Sequence, residues 1–253
     1  MKPKYLLVLI VLLIVILSGV AIYYYFATPE KSNLPFLGEK TYNLAFVTED
    51  DMKIAATYYP SLGTVSDRGV VLVHSAGTDR REWVDLAQKL QNNGYEVITM
   101  DLRGHGLSEG NLKKFTEADY QKMEFDLREA FEYLGDLKED MRIAVIGSSL
   151  GANVGLKTAA QDDRVQALIL LSPAKDYLGV KVSKKIQRYK NDLLIIFSQK
   201  DELSANDSKE LFEKSKSENK EEWEIEKNAH GAEMFEKEEG LEDRMMEWLN
   251  NNL

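Results

Sequence analysis

The stretch "RIAVIGSSLGANVG", Arg142 to Gly155, begins as a short apolar run and ends as a glycine-framed segment holding two adjacent serines. Ile143, Ala144, Val145 and Ile146 read as a strand buried on both faces, and the residues after Ser149 have helical spacing. Ser149 therefore falls where a buried strand ends and a helix begins, within Gly147-Ser148-Ser149-Leu150-Gly151. Small residues on both sides permit the sharp turn that lifts a serine hydroxyl above a sheet, and the register of G-x-S-x-G selects Ser149 over Ser148. Such a turn aims backbone N–H groups at the helix start, where Leu150 N–H is the expected donor to an oxyanion. Gly147, Gly151 and Gly155 also recur every four residues, a spacing that serves close helix packing alone. A phosphate loop fits worse, because no lysine follows in Walker fashion and the G-x-G-x-x-G spacing is missing.

Outward from this stretch, apolar runs recur at 69–75, 95–101, 165–172 and 192–198, with a sixth strand at 222–227. The segments between them carry helical spacing. Arg80 to Asn92 places Trp83, Leu86, Ala87 and Leu90 on one face, and Glu117 to Leu134 does the same with Tyr120, Met123, Leu127, Ala130, Phe131 and Leu134. A last helix is expected near Glu238 to Asn250. On the N-terminal side, "TYNLAFVT" and "KIAATYYP" flank an acidic turn at Asp50 and Asp51, the pattern of an antiparallel hairpin. The fold class is α/β, with a mostly parallel central sheet and helices on both faces.

The first residues differ from the rest. Tyr5 to Phe26 is a run without one charged side chain, and its 22 residues would span roughly 33 Å as a helix, enough for a hydrocarbon core of about 30 Å. Lys2 and Lys4 precede it, which places the N-terminus in the cytoplasm and the rest outside. A cleaved signal peptide shares the basic start, but the run exceeds the usual h-region, and Tyr23, Tyr24, Tyr25 and Phe26 resemble an interfacial belt more than a cleavage site. The expected organisation is an anchor over 1–27, a polar linker with Pro29, Pro35 and Gly38 over 28–40, and one domain over 41–253.

Composition narrows the chemistry. Zero cysteines remove disulfides, thiolate metal sites, a lipoprotein anchor and a cysteine nucleophile. The net charge of −10 becomes −12 once Lys2 and Lys4 are set aside, which argues against a nucleic-acid surface. A serine nucleophile needs a base, and three histidines are present: His74 at the end of "VVLVH", His105 in "DLRGHGLS" and His230 in "NAHGAEM".

These motifs, in this order, resemble the α/β-hydrolase superfamily over almost everything from about Thr41 to Leu253. "LVHSAG" looks like the oxyanion loop, "DLRGHGLSEG" the glycine-rich loop after the next strand, "GSSLG" the elbow, "SQKDELS" the acid loop and "AHG" the histidine loop. The resemblance implies a catalytic set of Ser149, Asp201 and His230, with Glu202 as the rival acid, and an oxyanion hole formed by the N–H groups of Leu150 and Ala76, with Ser75 as the fallback for the latter. Ser75 stands where the family usually has glycine. His74, His105 and Arg103 are implied to hold their loops. The expected reaction is cleavage of carboxylic esters or thioesters through an acyl-enzyme, with no cofactor and no metal. A peptidase or amidase on the same triad, and a non-catalytic binding protein on the same scaffold, are the alternatives. Only 19 residues separate Pro173 from Asn191, inclusive, so no large cap domain fits there. The expected partners are a small acyl ester and, through the first helix, a membrane.

Overall fold

The computed structural model describes residues 40–253. The anchor expected over 1–27, and all but the last residue of the linker, lie outside the described residues. Among the described residues no helix is long and apolar enough to cross a membrane.

One eight-stranded sheet organises the domain. Its strands are β1 (Tyr42–Val47), β2 (Lys53–Tyr59), β3 (Arg68–Val73), β4 (Glu96–Met100), β5 (Arg142–Ser148), β6 (Val165–Leu171), β9 (Asp192–Ser198) and β10 (Lys220–Ile225). A separate two-strand pair, β7 (Asp176–Tyr177) and β8 (Val180–Lys181), sits in the 173–191 interval. The sheet order is β1-β2-β4-β3-β5-β6-β9-β10. β1 and β2 pair antiparallel, as the hairpin pattern predicts, and β2 pairs antiparallel with β4; every other neighbour pairs parallel.

Alternation along the central strands assigns each side chain to one of two cores. Val71, Val145, Leu168, Leu170 and Ile195 point to one face, whereas Val70, Leu72, Ile146, Ile169 and Ile196 point to the other. Because both faces are buried, the strands read as unbroken apolar runs and not as alternating ones. The first face is covered by α3 (Met123–Leu137), α4 (Leu150–Ala159) and α5 (Ala205–Lys214) through residues such as Phe131, Val154 and Leu211. The second is covered by α1 (Val84–Asn92) and α7 (Leu241–Asn252) through Leu86, Leu90, Met245 and Leu249. The short helices α2 (Glu117–Gln121) and α6 (Met234–Lys237) complete the set. β10, at one edge, carries "KEEWEI", whose charges discourage pairing with another strand.

Three boundaries differ from the periodicity. The helix read from Arg80 opens as a 3₁₀ turn, Arg80–Trp83, because Asp79 caps it by accepting Arg81 N–H at 2.9 Å. The helix expected from Glu117 to Leu134 is interrupted at Lys122 and runs on to Leu137. The last helix starts at Leu241, three residues late, after Gly240 in the left-handed region at φ 77°. In each case a cap or turn geometry overrides the hydrophobic pattern at the boundary while leaving the element itself in place.

Arg103 ties the N-terminal hairpin to this frame. Its buried guanidinium meets Asp126 of α3 at 2.7 Å and Asp50 of the β1–β2 turn at 2.8 Å. Its reach exceeds the loop-holding role implied for it: three elements converge on one side chain.

Candidate active site

At the C-terminal edge of the sheet, β5 ends and α4 begins on Ser149. Its backbone lies at φ 56° and ψ −115°, a region that a serine occupies at a cost of about 1–3 kcal/mol. The glycines make this turn possible. A Cβ on Gly147 would lie 2.4 Å from Gly151 O, and one on Gly151 would lie 2.2 Å from Val73 O. The turn is fastened to the neighbouring strand by Ser149 N–H, which donates to Leu171 O at 2.8 Å.

The structure brings Ser149, Asp201 and His230 together. His230 Nε2 is 2.8 Å from Ser149 Oγ, and His230 Nδ1 is 2.6 Å from Asp201 Oδ2. Asp201 lies in the loop after β9, where it is buried, while Glu202 is exposed. Burial opposes the charge on Asp201, but hydrogen bonds from Ser204 and His230 outweigh it and hold the carboxyl below its ordinary value. An ionised Asp201 accepts from Nδ1–H, which leaves Nε2 as an acceptor facing the serine hydroxyl. The three side chains thus form a directed chain, hydroxyl to imidazole to carboxylate.

Near the serine, Leu150 N–H opens α4 and Ala76 N–H follows β3 by three residues; among the described residues neither has a hydrogen-bond partner. Ser75 N–H, the fallback donor, is occupied: it faces both carboxylate oxygens of Glu82 at 3.3 Å. His74 and His105 stand apart from the serine, ring against ring at 4.9 Å. His74 Nε2 accepts Leu102 N–H at 3.0 Å, so the proton is on Nδ1, which donates to Ser75 O at 2.7 Å. That neutral imidazole buttresses the loop carrying Ala76.

Burial pushes His74 down to about 4. An unfolded chain binds a proton at this histidine below its ordinary value of 6.5, which the folded chain refuses until about 4, so stability is lost as pH falls through that window. The shift corresponds to roughly 3 kcal/mol. His74→Gln removes the titrating group, so urea denaturation of wild type and variant is expected to show their stability difference shrinking by that order between pH 7 and 4. A difference that stays constant would contradict the neutral, buried imidazole.

A cleft of about 580 Å³ opens over Ser149 and His230, within the range of small-molecule sites. Trp83 and Phe235, in edge contact at 6.1 Å, line it, as does Tyr177, whose ring lies 6.4 Å from that of His230. Tyr177 comes from the β7–β8 hairpin, and Asn153 of α4 secures the segment by donating to Ala174 O and Val180 O, both at 2.8 Å. This small hairpin occupies the interval where no large cap was expected. Tyr177, Asn153 and Glu82 lie outside the sequence motifs. An asparagine among the small and apolar residues from Leu150 to Leu156 is the one available signal among them.

Residues 65–180 match the family model Hydrolase_4, described as Serine aminopeptidase, S33. The Pyrococcus furiosus esterase Pf2001 superposes with a TM-score of 0.71 at 22% identity, covering 88% of this chain and 99% of that one. A cold-adapted esterase from an Arctic intertidal metagenomic library superposes at 0.75 and 18% identity, covering 89% and 99%. The domain has the α/β-hydrolase fold. Among curated relatives of this α/β-hydrolase-fold chain, the quorum-quenching protein AidA of Acinetobacter baumannii is 28% identical over 128 residues, which are 50% of this chain and 42% of the relative. The chain spans less than half the length of the curated relatives of this kind that it matches.

Proposed function

We propose that the chain is a serine hydrolase that cleaves small carboxylic esters through an acyl-enzyme. The observation that carries the reading is the unbroken chain Ser149 Oγ, His230, Asp201 on a strained turn beside two N–H groups that have no partner among the described residues. In this reading His230 takes the hydroxyl proton as Ser149 attacks the carbonyl, and the C=O electrons move onto the oxygen held by Leu150 and Ala76 N–H. His230 then returns the proton to the leaving alcohol. Water repeats the sequence on the acyl-enzyme and releases the acid, while Asp201 stabilises the imidazolium throughout.

The cleft's electrostatics support esters over acyl-CoA thioesters. Glu82, Asp85, Glu233, Glu236 and Glu242 line it with no lysine or arginine among the lining residues, so a polyphosphate-bearing substrate is repelled. The match to a serine aminopeptidase model over 65–180 gives amide cleavage on the same triad a place as the second reading.

The test uses the full chain: a fluorophosphonate probe, then p-nitrophenyl esters of increasing acyl length, acyl-CoA and aminoacyl amides. Labelling with turnover of short esters is expected. Labelling with turnover of amides alone would transfer the assignment to the second reading, and absence of labelling would leave a binding scaffold.

The N-terminal run of 22 uncharged residues supports a further proposal, that the domain is tethered to a membrane on its outer side. Protease added to intact cells is expected to remove the domain; full protection would refute this topology.

A further inference from the structure

We infer that Glu82 is a positioning residue of the oxyanion hole, an inference that rests on the hydrolase reading. Three loops meet beside the serine, and a single run of hydrogen bonds crosses all of them. Ala232 N–H, next to the histidine loop's Gly231, donates to Ser148 Oγ at 2.9 Å. Ser148 Oγ is 2.7 Å from Ser75 Oγ, and Ser75 Oγ donates to Glu82 Oε1 at 3.1 Å. With Glu82 ionised, the direction follows from counting protons. Ser75 has one hydroxyl proton and gives it to the carboxylate, so the proton between the serines belongs to Ser148. Each hydroxyl then donates once and accepts once, and the run terminates on Glu82.

Glu82 also accepts Ser75 N–H and, at 2.6 Å, the Thr78 hydroxyl. It therefore binds the oxyanion loop on both sides of Ala76, through residues 75 and 78. With Ser75 N–H turned to the carboxylate, Ala76 N–H is the first amide of the loop left for a substrate oxygen. The packing is close: a Cβ on Gly231, at φ 58°, would lie 2.3 Å from Ser148 Oγ. Serine in place of the usual glycine at 75 supplies the hydroxyl that links the oxyanion loop to the elbow, and Glu82 on the 3₁₀ turn accepts from both the N–H and the hydroxyl of that serine. None of these residues touches a reacting atom in this arrangement; they act by holding the Ala76 amide where charge develops.

The test compares the full-length wild type with Glu82→Ala and Glu82→Gln, after circular dichroism shows each to be folded. Steady-state kinetics on p-nitrophenyl acetate are read alongside the Ki of a short trifluoromethyl ketone, whose adduct with Ser149 places an oxyanion in the hole. Glu82→Ala is expected to lower kcat by about 10–100-fold, less than the loss of a donor itself, with KM within about twofold. The Ki should rise by the factor by which kcat/KM falls, and Glu82→Gln, which keeps one acceptor oxygen, should fall between. A kcat unchanged within about twofold in both variants, or a fall in kcat without a matching rise in Ki, would overturn the inference while leaving the hydrolase reading intact. If Glu82→Ala does not fold, Glu82→Gln carries the test; if neither folds, the carboxylate serves the fold and the inference is wrong. A wild type that neither reacts with the probe nor turns over ester would end the hydrolase reading, and this one with it.

Discussion

Ser149→Ala is expected to abolish fluorophosphonate labelling and to lower kcat on p-nitrophenyl esters by about 10⁴–10⁶-fold, because removing one member of a unit that moves a single proton costs nearly as much as removing all of it. Whatever residual rate remains comes from binding and the oxyanion donors. His230→Ala should fall by a similar factor, and the double variant should fall no further, since the two side chains share one step across the 2.8 Å contact. Ser148→Ala is the informative control. Its hydroxyl is fully buried and bonded to Ser75 and Ala232, and Ser148 is not among the residues that line the cleft, whereas Ser149 is. It should keep labelling and lose about tenfold or less in kcat, as expected for a residue that only orders a loop. Labelling that survives Ser149→Ala and disappears with Ser148→Ala would reverse the assignment.

Gly151→Ala is expected to destabilise the domain by more than about 4 kcal/mol, enough to leave little folded protein. The added methyl would sit 2.2 Å from Val73 O and 2.6 Å from His74 O, both backbone atoms of the central sheet and its following loop. β3 is held by β4 on one side and β5 on the other, so it cannot retreat without breaking two ladders. Gly155→Ala provides the contrast: its methyl would meet Val145 Cγ1 at 2.9 Å, the end of a side chain that can shift. A cost of about 1–2 kcal/mol is expected there. Urea denaturation of the two variants decides the matter, and equal stabilities would remove the argument that the elbow's glycine is required by the sheet. The four-residue recurrence of glycine therefore serves packing and the turn together: the helix must approach β3 and β5 closely for Ser149 to stand where it does.

Legibility in the sequence depends on which constraints are local. The β5–α4 turn is legible because its steric demand falls on neighbours in the chain, Gly147 and Gly151. The parallel strands are legible because burial on both faces leaves an apolar run, as in Leu193 to Phe197. Motif order points to Asp201 and His230, and the geometry brings both to Ser149. The Glu82 network is not legible, since it joins Ser75 to Ser148 across 73 positions and each residue alone reads as an ordinary polar one. The interruption at Lys122 is hidden for a different reason: the apolar periodicity continues through it, and no side-chain cap marks the new start at Met123.

The pairing of Ser149 with His230 spans 81 residues of chain, across β6, the β7–β8 hairpin, β9 and β10. Contacts of that span close late, because the entropy of large loops must be met before they form. The site is consequently a reporter of its own assembly. During refolding, helix content should return first and reactivity toward the probe last, so a chain that has collapsed without docking β10 would look helical while remaining chemically silent.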